Sequence, residues 1–425
     1  MGVTNRRGRP RLPLALSMVV CAVLLGGVIT ASVSFSSKSA PTTVKFAPAA
    51  ATLAPIKVMT IAAVHYNGPQ YPNILEASVL YGKWINAHGG IAGHPLQVET
   101  CDEQGDPNVL AACGRKAIAD HVTSVVGSFT LNGNSIIPIL AAAKTSWFGI
   151  CCAVEADELS SPISFPMGSG VALTSGQAIE AWRLGCRKIA YVVLQSGFES
   201  FEVTLTKNAL KAIGGSLAKV VSIPLTAQDY SPEVAQATEG TDCISAAISD
   251  TNWLSFLPSF QQSGGKQRLF GSQGNLDDKV IKAFPTATAN SISVGSYPDL
   301  STAPFAGFRA AIAQYKAPAN LDYNSLAGLG TWAAYTAFTN IVKTMKGPIN
   351  NTTFLAAANK AANVTTGGML PPINFTKPWT TGLPGFARLF NRAVTYEIAK
   401  GGKLVPYNNN AFEDLTNAVL GKPLK

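Results

Sequence analysis

Residues 85–107, INAHGGIAGHPLQVETCDEQGDP, gather residue types that often carry chemistry: glycines, histidines, a cysteine and several acids. Three readings fit: a glycine loop cradling phosphate, a metal or redox centre, or a sharp turn with no chemistry. A phosphate loop needs a strand before its glycines and a helix after them, so that the first helical N–H groups meet the anion. Here the order is reversed. Apolar residues at helical spacing (Ile74, Leu75, Val79, Trp84, Ile85) precede the glycines, and the strand-like PLQVETC follows. Gly89 and Gly90 therefore stop a helix. The four histidines, His65, His88, His94 and His121, are scattered and give no pair at zinc spacing. The sequence holds no HExxH helix and no GxSxG elbow, and Asp277-Asp278 reads as a solvated helix start. No catalytic residue, metal or cofactor is expected, and the chain does not read as an enzyme.

The cysteines point to structure rather than catalysis. Six lie beyond residue 55: Cys101, Cys113, Cys151, Cys152, Cys186 and Cys243. An even count in an exported chain favours disulfides. Cys101 ends a strand and Cys113 lies on the next helix, the best-placed pair, and such a bridge contributes roughly 3 kcal/mol. The pairing of the other four stays open.

The elements that position these residues come from a chain of 425 residues, enough for two domains. Hydrophobic residues make up 47% and charged residues 13%, which excludes general disorder. Residues 1–55 contain Arg6, Arg7, Arg9, Arg11, Lys38 and Lys45 and no acids. They carry +6 of the net +9 and leave +3 for the rest, so nothing marks a nucleic-acid partner. RRGRPR followed by a long apolar run makes residues 1–35 an export signal, either cleaved or retained as a membrane anchor. Residues 36–55 read as a Ser/Ala/Thr/Pro-rich flexible linker.

From Ile56 onward, strand and helix patterns alternate: strands at 56–64, 95–101, 123–128 and 146–150, helices at 73–88, 108–120 and 134–144. Pro138 must fall in the first turn of the last helix or kink it. A second series adds strands at 188–194, 217–225, 242–249 and 267–272 and helices at 173–184, 199–214 and 251–264. Helices at 305–316 and 324–345 follow; Trp332, Tyr335 and Phe338 give the second an apolar core face. This is an α/β fold with two parallel-sheet units. Ligands of such sheets bind outside the carboxyl ends of the strands. The loops there are 66–71, 128–134, 151–157, 195–198, 249–252 and 272–275.

INAHGGIAGHP, the D-x-x-x-DP after it, VVGSF, SPISFPMGSG and LFGSQGN together resemble the type I periplasmic solute-binding proteins of the leucine/isoleucine/valine-binding kind. The resemblance covers Ile56 to about Leu404. It implies two Rossmann-like lobes with parallel sheets, joined by a three-crossing hinge near 165–170, 295–298 and 366–370. Lobe 1 would be 56–166 plus 297–366, and lobe 2 would be 167–296 plus 367–425. It implies ligand contacts at Thr130, Asn132 and Asn134, then Cys152, Ala153 and Glu155, with aromatics at Tyr71 and Phe198. Ser249 and Asp250 supply another contact, and Gln273 stands where the family has the acid that receives an ammonium. A neutral glutamine cannot neutralise a buried ammonium. Either Glu155 or Asp250 takes that role, or the ligand is amide-like. The implied function is an exported, monomeric binding protein that captures a small polar solute, amino acid or amide-like, for the permease of an ABC importer. The alternative is the same domain held at the membrane as a ligand sensor.

Overall fold

The computed structural model describes residues 52–195, 199–224, 227 and 229–424. The expected signal or anchor, most of the linker and Phe198 lie outside the described residues. The end of the linker is pinned rather than free. The Leu53 N–H donates to Gly93 O at 3.1 Å, and His94 Nδ1 lies 2.7 Å from Ala54 O. No helix among the described residues is long and apolar enough to cross a membrane.

The first sheet holds β1 (Ile56–Ala62), β2 (Leu96–Asp102), β3 (Ser124–Val126), β4 (Ser146–Phe148) and β5 (Ser164–Phe165) in the order β2-β1-β3-β4-β5, all parallel. The second holds β6 (Ile189–Leu194), β7 (Leu217–Ile223), β8 (Cys243–Ala247), β9 (Arg268–Ser272) and β10 (Ile292–Gly295). β11 (Ala393–Lys400) and β12 (Lys403–Tyr407) add antiparallel at its edge, and β13 (Glu413–Asp414) pairs β11. Parallel neighbours require crossovers, and helices supply them on both faces. The stretch between β7 and β8, which shows no helical pattern in the sequence, carries the helix Ser231–Thr238. Asp229 Oδ1 accepts from Ser231 N at 2.9 Å and Pro232 sits in the first turn, so the start is set by turn chemistry.

The expected helix at 134–144 is shorter. A 3₁₀ turn, Gly133–Ser135, precedes a helix at Ile137–Ala142 with Pro138 in its first turn. The glycines of GGIAG adopt positive φ, +89° at Gly89 and +71° at Gly90, between the helix Pro72–Ala87 and β2. They are a turn. Cys101 and Cys113 are bonded, and so are Cys186 and Cys243.

The first core lies between the first sheet and the helices Pro72–Ala87 and Leu326–Thr344. Trp332, Tyr335 and Phe338 are buried in it, and Thr60 Oγ1 meets Tyr335 Oη at 2.7 Å. Two crossings run side by side, with Ser169 Oγ 2.7 Å from Ser296 Oγ. The third differs from the expected 366–370. Met369, Leu370, Ile373 and Phe375 still pack in the first core. Arg388 donates to Ser164 O at 2.6 Å and stacks on Phe165 and Phe390. The tail after 366 thus packs on the first lobe through Phe375 and again at Arg388 and Phe390, while Phe386 between them stacks on Phe201 of the second lobe, before the chain enters β11.

Candidate functional site

The carboxyl ends of the first sheet form one wall. The loop after β1 is held by Asp102, whose carboxylate accepts from Val64 N at 2.8 Å and His65 N at 3.2 Å. Tyr71 follows, edge-on to Phe129 with 4.8 Å between ring centroids. After β3, Thr130 is buried; its hydroxyl donates to Glu103 Oε1 at 3.2 Å and accepts from Asn132 N at 3.0 Å. Asn132 reaches back to Gly105 O. Asn134 points to the neighbouring loop, where its Oδ1 accepts from Asp157 N at 3.0 Å.

The loop after β4 carries Cys151, Cys152, Ala153 and Glu155. Its shape is set by Glu158, which is fully buried. One carboxylate oxygen accepts from Val154 N and Glu155 N at 3.0 and 3.1 Å, the other from Trp147 Nε1 at 3.0 Å. Burial raises this carboxyl to about 7, against the three N–H donors that pull it down. Burial also raises Glu155, with Asp157 adding to it, and Glu155 remains partly exposed. The thiol of Cys152 is pushed well above its usual range by its contact with Cys151 and then by burial.

The second wall comes from the second sheet. Ser249 caps the helix Asp250–Gln262, accepting from Asn252 N at 3.2 Å. Asp250 pairs with Lys279 at 3.4 Å. Gln273 is buried but turned to the hinge: Nε2 donates to Tyr297 O at 3.0 Å and Oε1 accepts from Tyr297 N at 3.4 Å. Its amide holds the second crossing rather than facing an open cleft.

Electrostatics also bear on Tyr71. Burial raises the Tyr71 hydroxyl well above its usual range, and Cys152, Tyr66, Cys151 and Asp250 each add to the effect. The side chains of Asn134, Ser249 and Gln273 bond a neighbouring loop, a helix cap and the hinge.

Two groups escaped the sequence reading. Glu103 follows β2 and is 1% exposed, and its Oε2 has no hydrogen-bond partner among the described residues. Burial raises it to about 7, opposed by the Thr130 hydroxyl and the Gly105 N–H and raised further by Asp102 and Asp106. The Tyr66 ring lies against Gly68 and against Gly105, which is two residues from Glu103. The second group is Asp322 of the first lobe, raised to about 7 by burial and by Asp277, Asp278 and Asp250 of the second. Glu103 sits at a strand's carboxyl end, so the rule that selected the other loops also selects it. Asp322 lies on a loop far along the chain, and no local signal marks it. Two surface depressions lie at the opposite end of the second sheet, around Pro285, Asn290 and Gly402 and around Gln261, Arg268 and Thr286, away from this cleft.

No curated protein matches the sequence. Solved structures share the fold. A substrate-binding periplasmic protein from Ralstonia solanacearum superposes with TM-score 0.69 at 15% identity, covering 83% of this chain and 99% of its own. A leucine-binding protein from Thermotoga maritima gives 0.65 at 15%, covering 84% and 97%. A solute-binding protein from R. palustris in complex with 4-hydroxybenzoate gives 0.66 at 18%, covering 85% and 97%. The sequence profile of the periplasmic binding proteins matches residues 67–384, well over half of the chain. With two lobes built on parallel sheets and the profile match over most of its length, the chain belongs to the type I periplasmic binding protein family, the solute-binding components of ABC transporters.

Proposed function

We propose that the cleft captures a small polar solute bearing an ammonium or similar N–H donor, and that the exported chain delivers it as a monomer to an ABC permease. The observation that carries the reading is Glu103: a buried carboxyl with one unpaired oxygen beside Thr130 and near Tyr66. A buried carboxylate without a partner is costly, and a donor from a ligand relieves that cost. Glu103 thus takes the place left by neutral Gln273, ahead of Glu155 and Asp250. Tyr71 and Phe129 wall the apolar part. Asp250, Asp277 and Asp322 add negative charge around the opening, which favours a cation.

Thermal-shift screening of the mature chain tests this against amines, amino acids, amides and aromatic carboxylates. An ammonium-bearing solute at 100 times its dissociation constant should stabilise by roughly 2.7 kcal/mol. Stabilisation by carboxylates alone overturns the ligand class; stabilisation by none of them overturns the binding role. Light scattering checks the monomer, and the mass of the mature N-terminus separates a released protein from a tethered one.

A further inference from the structure

Four of the six cysteines in the described chain pair with each other, Cys101 with Cys113 and Cys186 with Cys243. The other two, Cys151 and Cys152, are adjacent in sequence, and their sulfurs stand 3.1 Å apart. That is closer than two non-bonded sulfurs ordinarily pack. The Cys151 backbone and Cβ are closely packed on two sides. A Cβ on Gly168 would fall 1.6 Å from Cys151 O. One on Gly330 would fall 2.7 Å from Cys151 Cβ and 3.0 Å from Tyr297 Oη. Gly168 belongs to the first crossing, Tyr297 to the second, and Gly330 to the helix Leu326–Thr344. The pair therefore sits where the two crossings meet the first lobe. On the far side, Glu158 fixes Val154 N and Glu155 N and so holds the backbone that follows Cys152.

We propose that Cys151 and Cys152 close a vicinal disulfide and form a redox-sensitive plate in the floor of the cleft. Two cysteine thiols react with a donor disulfide RS–SR to give the Cys151–Cys152 bond and two RSH. The cysteine sulfurs lose two electrons to the donor, and their two protons leave on the thiols formed. Any disulfide donor able to close the other two bonds is of the required class. Adjacent Cα atoms lie about 3.8 Å apart, whereas disulfides ordinarily span about 4.4–6.8 Å. The other two bonds, at 6.0 and 5.9 Å, fall within that range. The vicinal bond is thus the strained one, and strained disulfides are the more readily reduced. Closed, the floor offers sulfur with no S–H donor beside Tyr71 and Tyr297. Open, it offers two thiols. The solute meets a different surface in each state.

The test uses the full exported chain, folded in a glutathione redox buffer, with free thiols blocked in denaturant before digestion. Trypsin releases peptide 145–183, which contains no other cysteine. The expected result is an unblocked peptide two hydrogens lighter than its dithiol form. With graded reductant, this peptide takes up blocking groups before those carrying Cys101, Cys113, Cys186 or Cys243. Two blocked thiols at 151 and 152 while the other bonds are closed would overturn the proposal. So would a link from either residue to Cys186, Cys243 or glutathione, or a vicinal bond that opens last.

Discussion

Glu103 and Glu158 occupy matching places, one after β2 and the other beyond β4, both at the carboxyl ends of the first sheet. Both are buried and both are raised to about 7. Their surroundings differ. Glu158 accepts three N–H groups and leaves no oxygen idle. Glu103 accepts from the Thr130 hydroxyl, with the Gly105 N–H also favouring its charged form, and its Oε2 has no hydrogen-bond partner among the described residues. The same shift therefore marks two roles. Glu158 is a positioning residue that shapes the loop bearing Cys152, Ala153 and Glu155. Glu103 is the carboxyl we propose as the partner of a ligand donor. A raised carboxyl identifies a candidate; its unused hydrogen-bonding capacity tells structure from function.

Substitution at Glu158 should break the comparison most visibly. Glu158→Ala strands Trp147 Nε1 and the N–H groups of Val154 and Glu155, buried groups that each cost about 1–3 kcal/mol when unsatisfied. Urea unfolding should show a loss of about 3 kcal/mol or more, with solute binding lost along with the loop's shape. Glu103→Gln should behave in the opposite way. Stability stays within about 1 kcal/mol of the parent, because the replaced group was incompletely paired. Affinity for an ammonium-bearing solute falls roughly 10–100-fold by calorimetry, as expected for removing one charged hydrogen-bond partner. Equal stability losses at the two positions would erase the distinction. Smaller still is Tyr71→Leu, which removes the edge-on contact to Phe129 and should cost about 1 kcal/mol in unfolding.

The same contrast explains what was legible in the sequence. The βα order, the direction of the GGIAG turn and the aromatic face of the 324–345 helix rest on local period and local chemistry, and a sequence displays these directly. Thr130 and Tyr71 follow from the rule that strand ends bind ligands. Gln273 and Asn134 also obey that rule, yet their amides bond the hinge and a neighbouring loop. Which way a side chain turns depends on partners far along the chain, such as Tyr297 for Gln273 and Asp157 for Asn134. Asp322 is near the cleft only because the chain returns to the first lobe after the second crossing. The third crossing shifted because Met369–Phe375 and Arg388 find partners in the first core, a tertiary preference with no periodic signature.

A final prediction separates the two carboxyls by pH, with opposite signs for stability and binding. In the folded chain each carboxyl titrates near 7, against 4.5 for an ordinary glutamate. A raised carboxyl binds its proton more tightly when folded. Its contribution to stability is fully present below about pH 4.5 and is lost as pH rises through about 7. Each group contributes a slope of at most about 1.4 kcal/mol per pH unit within that window. Glu103→Gln removes one such slope, so the variant's stability should fall less steeply than the parent's between pH 4.5 and 7. Binding runs the other way. An ammonium meets an ionised Glu103 better than a neutral one, so parent affinity should rise from pH 6 toward 8 and the rise should vanish in Glu103→Gln. Glu158 gives no such rise, since its oxygens already bond the loop. Stability curves from urea unfolding at several pH values, paired with calorimetric titrations, measure both signs. An affinity rise that survives Glu103→Gln would move the ammonium partner to another acid, with Asp250 of the second lobe and Asp322 of the first as the next candidates.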